Sequence, residues 1–293
     1  MIRKSILGFI ISFFIVFSAY THQAIVIAAN DFTEQFILGY ILQILIEENT
    51  DLNTRLVSNL SITSSFQGIT RGEIDLSIAY TGTIVENIFY DTIPRTPDET
   101  FRIARDGLRD RYSVRMLDKI GFNNTFTLAV RPDTAQQFNL RTISDLARVS
   151  SQLIFGGTLE FANRLDGLLG LRRAYEGLNF RREVIIIHDI LRYNAVINDE
   201  IQVTNAFSTE GVLEYFNLVA LEDDLEFFPA FHAAVIIREE TAQKFPQLVE
   251  VSNMLAGVID NDSMRYLNFR VDVLHESPQH TARTFLRETG LIR

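Results

Sequence analysis

Short, unbroken apolar runs alternate along this chain with longer segments whose apolar residues recur at helical spacing. Ala24–Ala29 is the first such run and predicts a strand buried on both faces. Ile37, Ile41, Ile44 and Leu45 then recur at helical spacing through Ile46. Asp31, followed three residues later by Glu34, reads as a capping box at the start of that helix. A strand is expected near Arg55–Leu60, a short helix at Ser64–Arg71 and, past the turn Gly72-Glu73, a strand at Ile74–Ala79. Thr83 opens a helix carrying Ile84, Val85, Ile88 and Phe89. Thr96–Asp110 is dense in charge and predicts an exposed helix, capped by Thr96 or Asp98.

Thr125–Val130 predicts another strand, and Arg131-Pro132-Asp133 breaks the pattern. The alternation then restarts: helix Ile143–Val149, strand Gln152–Gly156, helix Arg164–Tyr175, strand Val184–Ile187, helix Asp189–Asn198 and strand Val203–Phe207. A further apolar strand, Ala233–Ile237, leads into a run of helices. Strands and helices in alternation predict parallel sheets with helices on both faces. Ligands of such sheets sit beyond the carboxyl ends of strands. The residues at those places are Asn30-Asp31, Ser61–Ser64, Tyr80–Thr83, Gly157-Thr158 and Phe207–Thr209, mostly small, hydroxylated or aromatic.

Composition adds class and compartment. The chain has 293 residues, 47% hydrophobic and 22% charged, long enough for two core-bearing units. Its net charge of −10, with no cluster of Lys and Arg, argues against a nucleic-acid partner, because phosphate attraction needs clustered cations. Arg3 and Lys4 precede the apolar run Ile6–Phe17, which at 12 residues is short for a bilayer span and reads as a signal peptide over residues 1–24. Cleavage is expected between Ser18 and Ala24, an uncleaved anchor being the alternative; removing the segment takes away two positive charges and leaves −12. The chain contains no Cys, which excludes disulfides, thiolate metal sites, Cys nucleophiles and lipid attachment. An unanchored secreted protein of this kind is expected in a Gram-negative periplasm.

Phe32-Thr33-Glu34-Gln35-Phe36-Ile37-Leu38-Gly39 resembles the opening of the quaternary-amine binding proteins of ABC transporters, the glycine betaine, carnitine and choline binders of osmoprotectant uptake. Further similar blocks follow in order: Gly72-Glu73-Ile74-Asp75-Leu76, Tyr80-Thr81-Gly82-Thr83, Gly121-Phe122-Asn123-Asn124-Thr125, Thr158-Leu159-Glu160-Phe161, Asp166-Gly167-Leu168, Ala206-Phe207-Ser208-Thr209 and Leu221-Glu222-Asp223-Asp224. The resemblance implies an α/β, two-lobed periplasmic-binding-protein fold of type II, with mixed central sheets, flanking helices and the ligand in the interlobe cleft. Lobe one would comprise residues 25–124 and 230–293, and lobe two residues 125–229. Crossovers would lie near Thr125 and Pro229-Ala230. Implied partners are a small quaternary amine and the permease and ATPase subunits of an importer; no cofactor is implied, and a monomer is expected.

A quaternary ammonium has no N–H to donate, so ring faces must hold it, at about 0.5–2 kcal/mol each. The resemblance implies an aromatic cage at Tyr80, Phe126, Phe207 and Phe231, of which only Tyr80 has a hydroxyl. Core packing is the plain alternative for each, in a chain with 23 Phe. For a ligand carboxylate the resemblance implies Arg164, whose planar fork suits a two-point contact, and Thr83, which could equally be a helix cap. Asn30 stands where the family usually carries Lys, and Ser61-Ile62 replaces its usual glycine pair, so choline, or a larger betaine bound through Arg164, fits at least as well as glycine betaine. An enzyme would need a nucleophile–base pair or a metal cluster. His188-Asp189 is the nearest approach, His232 follows a cage position, and Glu34 and Glu160 read as helix caps. The alternatives are therefore a binder of another small zwitterion, such as ergothioneine or an amino acid, and a sensor without transport.

Overall fold

The computed structural model describes residues 24–91, 96–163, 167–185 and 189–293. The leading run Ile6–Phe17 and its expected cleavage lie outside them. Among the described residues, ten strands form two five-stranded sheets: β1 (Ile25–Asn30), β2 (Thr54–Leu60), β3 (Leu76–Tyr80), β4 (Val114–Asn123), β5 (Phe126–Val130), β6 (Ile154–Gly157), β7 (Arg182–Ile185), β8 (Val203–Phe207), β9 (Val219–Ala220) and β10 (His232–Arg238). The first sheet runs β2-β1-β3-β10-β4 and the second β7-β6-β8-β5-β9. Both are mixed rather than parallel throughout. In the first, β10 is antiparallel to β3 and β4; in the second, β5 is antiparallel to β8 and β9. The strands that break parallelism are those adjoining the passages from one sheet to the other.

Local chemistry sets these elements. All six residues of β1 are buried, as an unbroken apolar run requires, and β1 pairs in parallel with β2 and β3. Helix Thr33–Asn49 buries Ile37, Ile41, Ile44 and Leu45 against this sheet in one core with Ile27, Phe122 and Leu286. A separate core under the second sheet gathers Leu128, Phe155, Phe161, Leu171 and Leu221.

Several expected boundaries move. The expected capping box is absent: Phe32 occupies the N-cap position of helix Thr33–Asn49, no side chain caps it, and Glu34 is buried instead. Helix Ile62–Arg71 starts two residues early because Ser61 accepts from the Ser64 amide as its cap. Pro132, read as a break, opens helix Pro132–Phe138, whose first turn has no use for the missing N–H. Thr83 is not a cap; it ends a short helical turn that continues as a π-helix over Ile84–Ile88. Strand β4 was not anticipated from the sequence. Its polar Lys119 and the positive-φ Gly121 interrupt the apolar alternation.

The chain passes between the sheets twice, from Asn123 to Phe126 and from Ala220 to His232. Hydrogen bonds tie the two passages together. The Asn124 amide donates to the Phe231 carbonyl at 3.2 Å, the Phe231 amide to Asn123 Oδ1 at 2.7 Å, and Thr125 Oγ1 to the Pro229 carbonyl at 2.8 Å. Helix Asn261–Asp272, packed on the first sheet's helices, also grips the residues after β8. Arg265 donates twice to the Ser208 carbonyl, at 3.1 and 3.0 Å, and Asn268 Nδ2 donates to the Thr209 carbonyl at 2.8 Å. Gly211 lies so close that a Cβ there would meet the Phe269 amide nitrogen at 2.4 Å. Gly211→Ala is therefore expected to lower stability by about 1–3 kcal/mol through overpacking. Chemical denaturation giving the wild-type midpoint would contradict this contact.

Candidate functional site

Both sheets present one edge to a common cleft of about 280 Å³. Parallel strands reach it with their carboxyl ends: Asn30 ends β1, Tyr80 ends β3 and Phe207 ends β8. Antiparallel strands reach it with their beginnings, as Phe126 opens β5 and Phe231 immediately precedes β10. Register fixes the rings further. Phe126 stands directly opposite Phe207 in the β5–β8 ladder, and the two rings stack at 4.5 Å with an interplanar angle of 22°. Tyr80, 6% exposed, faces the cleft from the first sheet, braced edge-on by Phe122 at 6.4 Å.

Six of the seven positions singled out from the sequence line this one cleft: Tyr80, Phe126, Phe207, Phe231, Asn30 and Thr83. Arg164 lies outside the described residues, as does His188. His232 does not line the cleft. Its Nδ1 lies 3.2 Å from the Phe122 carbonyl, and burial first, then the Lys119 charge, holds its pKa below the usual value. The side chain of Glu160 is likewise outside what is described.

Five wall residues were not nominated as ligand contacts: Phe32, Ile62, Glu86, Asn124 and Thr125. Phe32 is 39% exposed and stacks on Tyr80 at 6.2 Å. A phenylalanine at an N-cap position, immediately beyond a strand end, is the signal that would have pointed to it. Ile62 and Glu86 complete the rim, and Glu86 is the only charged residue among the described ones lining the cleft. The cleft is therefore five rings, a few amides and hydroxyls, and no cation among those residues.

Asn30 is 8% exposed; its backbone amide donates to Gln35 Oε1 at 3.4 Å, while its Oδ1 and Gln35 Nε2 have no partner. Buried amides left unpaired cost free energy, and here they adjoin the cleft. The larger surprise is Glu34. It is buried beside the cleft and accepts from Tyr80 Oη at 2.6 Å, Asn124 Nδ2 at 3.0 Å and Asn268 Nδ2 at 3.0 Å. Burial raises its pKa while these donors, with Thr209, pull the other way. Burial and then the Glu34 charge push the Tyr80 phenol well above its ordinary value, so it stays protonated and donates.

A second cavity of about 550 Å³ opens beside the first and shares Phe32, Asn124 and Phe207 with it. Glu34 and Asn268 line it, opposite the buried Arg192, which pairs with Glu210 at 3.2 Å and donates to the Asn205 carbonyl. Among the described residues, no group of His, Asp and Glu is placed to hold a metal ion, and no helix is long and apolar enough to cross a membrane.

The passages between sheets hold the rings in place. Ser208 Oγ donates to the Asn123 carbonyl at 2.6 Å and accepts from the Thr125 amide at 3.2 Å. Ser208→Ala removes both bonds, leaving the Asn123 carbonyl and the Thr125 amide only the 3.0 Å bond they make with each other, and should cost about 1 kcal/mol. An unchanged melting temperature would show that this bond does not fix the relation of Phe207 to the first sheet.

Comparison with known proteins identifies the lineage. Residues 23–288 match the family described as the substrate-binding domain of ABC-type glycine betaine transport systems. An ergothioneine transport permease and binding protein of Helicobacter pylori is 31% identical over 94% of this chain, which spans 49% of that protein's length. A carnitine transport binding protein of Listeria monocytogenes is 32% identical over 90% of this chain and 86% of its own. Among solved structures, a glycine betaine/carnitine/choline ABC transporter chain superposes with a TM-score of 0.86 at 28% identity, over 91% of this chain and 99% of that one. The two mixed sheets are accordingly the type II periplasmic-binding-protein arrangement, and the chain belongs to the family of substrate-binding domains of ABC-type glycine betaine transport systems.

Proposed function

We propose that this protein captures a quaternary ammonium compound in a cage formed by Tyr80, Phe126, Phe207 and Phe231, with Phe32 as a fifth wall, and delivers it to a membrane permease driven by an ATPase subunit. The observation that carries the reading is the meeting of five aromatic rings, from both sheets, around one cleft with no cationic wall among the described residues. A trimethylammonium group gains from every ring face and loses no hydrogen bond on leaving water, because it makes none. Residues 25–124 with 230–293 form one lobe and 125–229 the other, and the ligand is enclosed by their rotation about the two passages. Asn30, Thr83 and Arg164 meet the far end of the ligand. The Asn30 amide can donate to a hydroxyl or to a carboxylate, whereas the acidic Glu86 suits only the hydroxyl, which favours choline alongside glycine betaine and carnitine.

The protein acts by binding and not by catalysis, as a monomer without nucleic-acid contacts, in a periplasm reached through the signal peptide at residues 1–24. A larger betaine of the ergothioneine type is the second reading. It is favoured by the 550 Å³ cavity adjoining the cage and by the Helicobacter relative.

A ligand that binds only the folded state raises the melting temperature, by about 2.7 kcal/mol of stabilisation at 100 times its Kd. A thermal-shift screen of choline, glycine betaine, carnitine, proline betaine and ergothioneine on the mature protein should yield a rise of several degrees for at least one. No rise for any of them would overturn the ligand class. Phe207, 41% exposed, can be removed without emptying a core. Phe207→Ala should weaken that ligand about tenfold by calorimetry, with the apo melting temperature close to wild type. Tyr80→Ala should weaken it more than Thr83→Ala, and the reverse order would move the ammonium away from Tyr80.

A further inference from the structure

Three of the four cage positions carry Phe, and the fourth keeps its hydroxyl for a reason visible in the fold. Tyr80 Oη spends its hydrogen bond on the buried Glu34 carboxylate at 2.6 Å. The direction of one bond around that carboxylate is fixed by a second partner. Asn268 Nδ2 also donates to the Thr209 carbonyl, which can only accept, so this atom is the amide nitrogen and Glu34 Oε2 must be an acceptor. Asn124 Nδ2 and the phenol both donate to Oε1. Donors converging on both oxygens are the environment of an ionised carboxylate. Yet among the described residues no Lys or Arg pairs with Glu34. A buried charge with no counter-charge is costly and calls for one to arrive.

We propose that Glu34 is the cation-selecting residue of this site: its carboxylate, relayed to the cleft by the Tyr80 hydroxyl, is the counter-charge of the bound ammonium. The phenol that donates to an anion becomes a more electron-rich ring, and the carboxylate lends its own field from behind it. Glu34 does not touch the ligand, so its role is positioning and polarisation through Tyr80. The inference rests on the proposed cage, and it goes further by assigning selectivity for positive charge, rather than mere shape, to one buried acid outside that cage.

The test compares each cation with its carbon isostere, in which a tert-butyl group replaces the trimethylammonium. Choline and glycine betaine, each with its isostere, are titrated by calorimetry into wild type, Glu34→Gln, Tyr80→Phe and the double variant. Wild type should prefer the cation. Glu34→Gln should cut that preference at least about tenfold, the size of a charge pair about 12 Å apart at an effective dielectric of ~20, while isostere affinity stays within about twofold. Tyr80→Phe keeps the ring and breaks the relay, and should cut the preference at least about threefold. The double variant should fall no further than the worse single, because both act on one path. An unchanged preference in either single variant overturns the proposal, as does equal loss of cation and isostere. If Glu34→Gln does not fold, Tyr80→Phe alone decides. Wild type binding the isostere but not preferring the cation overturns this proposal alone, whereas wild type binding neither cation nor isostere brings down the cage reading with it.

Discussion

A trimethylammonium group offers a protein almost nothing directional. It has no proton to donate, and its charge is spread over methyl groups that water solvates loosely. Only electron-rich surfaces facing it from several sides can hold it, at about 0.5–2 kcal/mol per ring. The cleft of this structure brings five rings together from separate parts of the chain. No single strand or helix could do so, since neighbouring residues of one element point apart. Strands of both sheets point their ends at the cleft, and each antiparallel strand there supplies a ring from its beginning where its parallel neighbours supply one from their ends.

The mixed character of the sheets is therefore tied to the site. β5 and β10 begin at the passages between sheets, and they run against their neighbours because the chain has just crossed over. Phe126 and Phe231 occupy cleft positions for that reason. The hydrogen bonds among Asn123, Asn124, Thr125, Ser208, Pro229 and Phe231 then hold the passages as a joint whose parts are mostly backbone. Rotation of one sheet against the other about such a joint moves Phe126 and Phe207 together, as one stacked pair, relative to Tyr80 and Phe32.

Much of this was legible in the sequence. The unbroken run before Asn30 and the strand Val203–Phe207 follow from apolar pattern alone, and the strand-end rule pointed to Asn30, Tyr80 and Phe207 before any resemblance was invoked. Phe126 and Phe231 needed the resemblance, because they lie at strand beginnings, which a rule written for parallel sheets does not examine. β4 escaped because Lys119 and Gly121 interrupt its alternation where it bends past helix Pro246–Asn253 and the segment at Ile259. Glu34 was misread for a physical reason. A glutamate three residues after an aspartate, before an apolar helix, fits a capping box locally; only the packing of helix Asn261–Asp272 and of β3 around it supplies Asn268 and Tyr80 as rival donors. Local signals cannot weigh partners that are 46 and 234 residues away in the chain.

The grip of helix Asn261–Asp272 on the second sheet has an asymmetric consequence. Arg265 and Asn268 are side chains, but what they hold, at Ser208 and Thr209, are carbonyl oxygens of the main chain. Every residue type offers the same carbonyl. Drift at the receiving positions leaves these three bonds intact, whereas the loss of Arg265 or Asn268 cannot be offset by any choice of amino acid on the other side. This share of the resting angle between the halves is thus written on one helix, and a designer wishing to bias this receptor open or shut would find adjustable terms there.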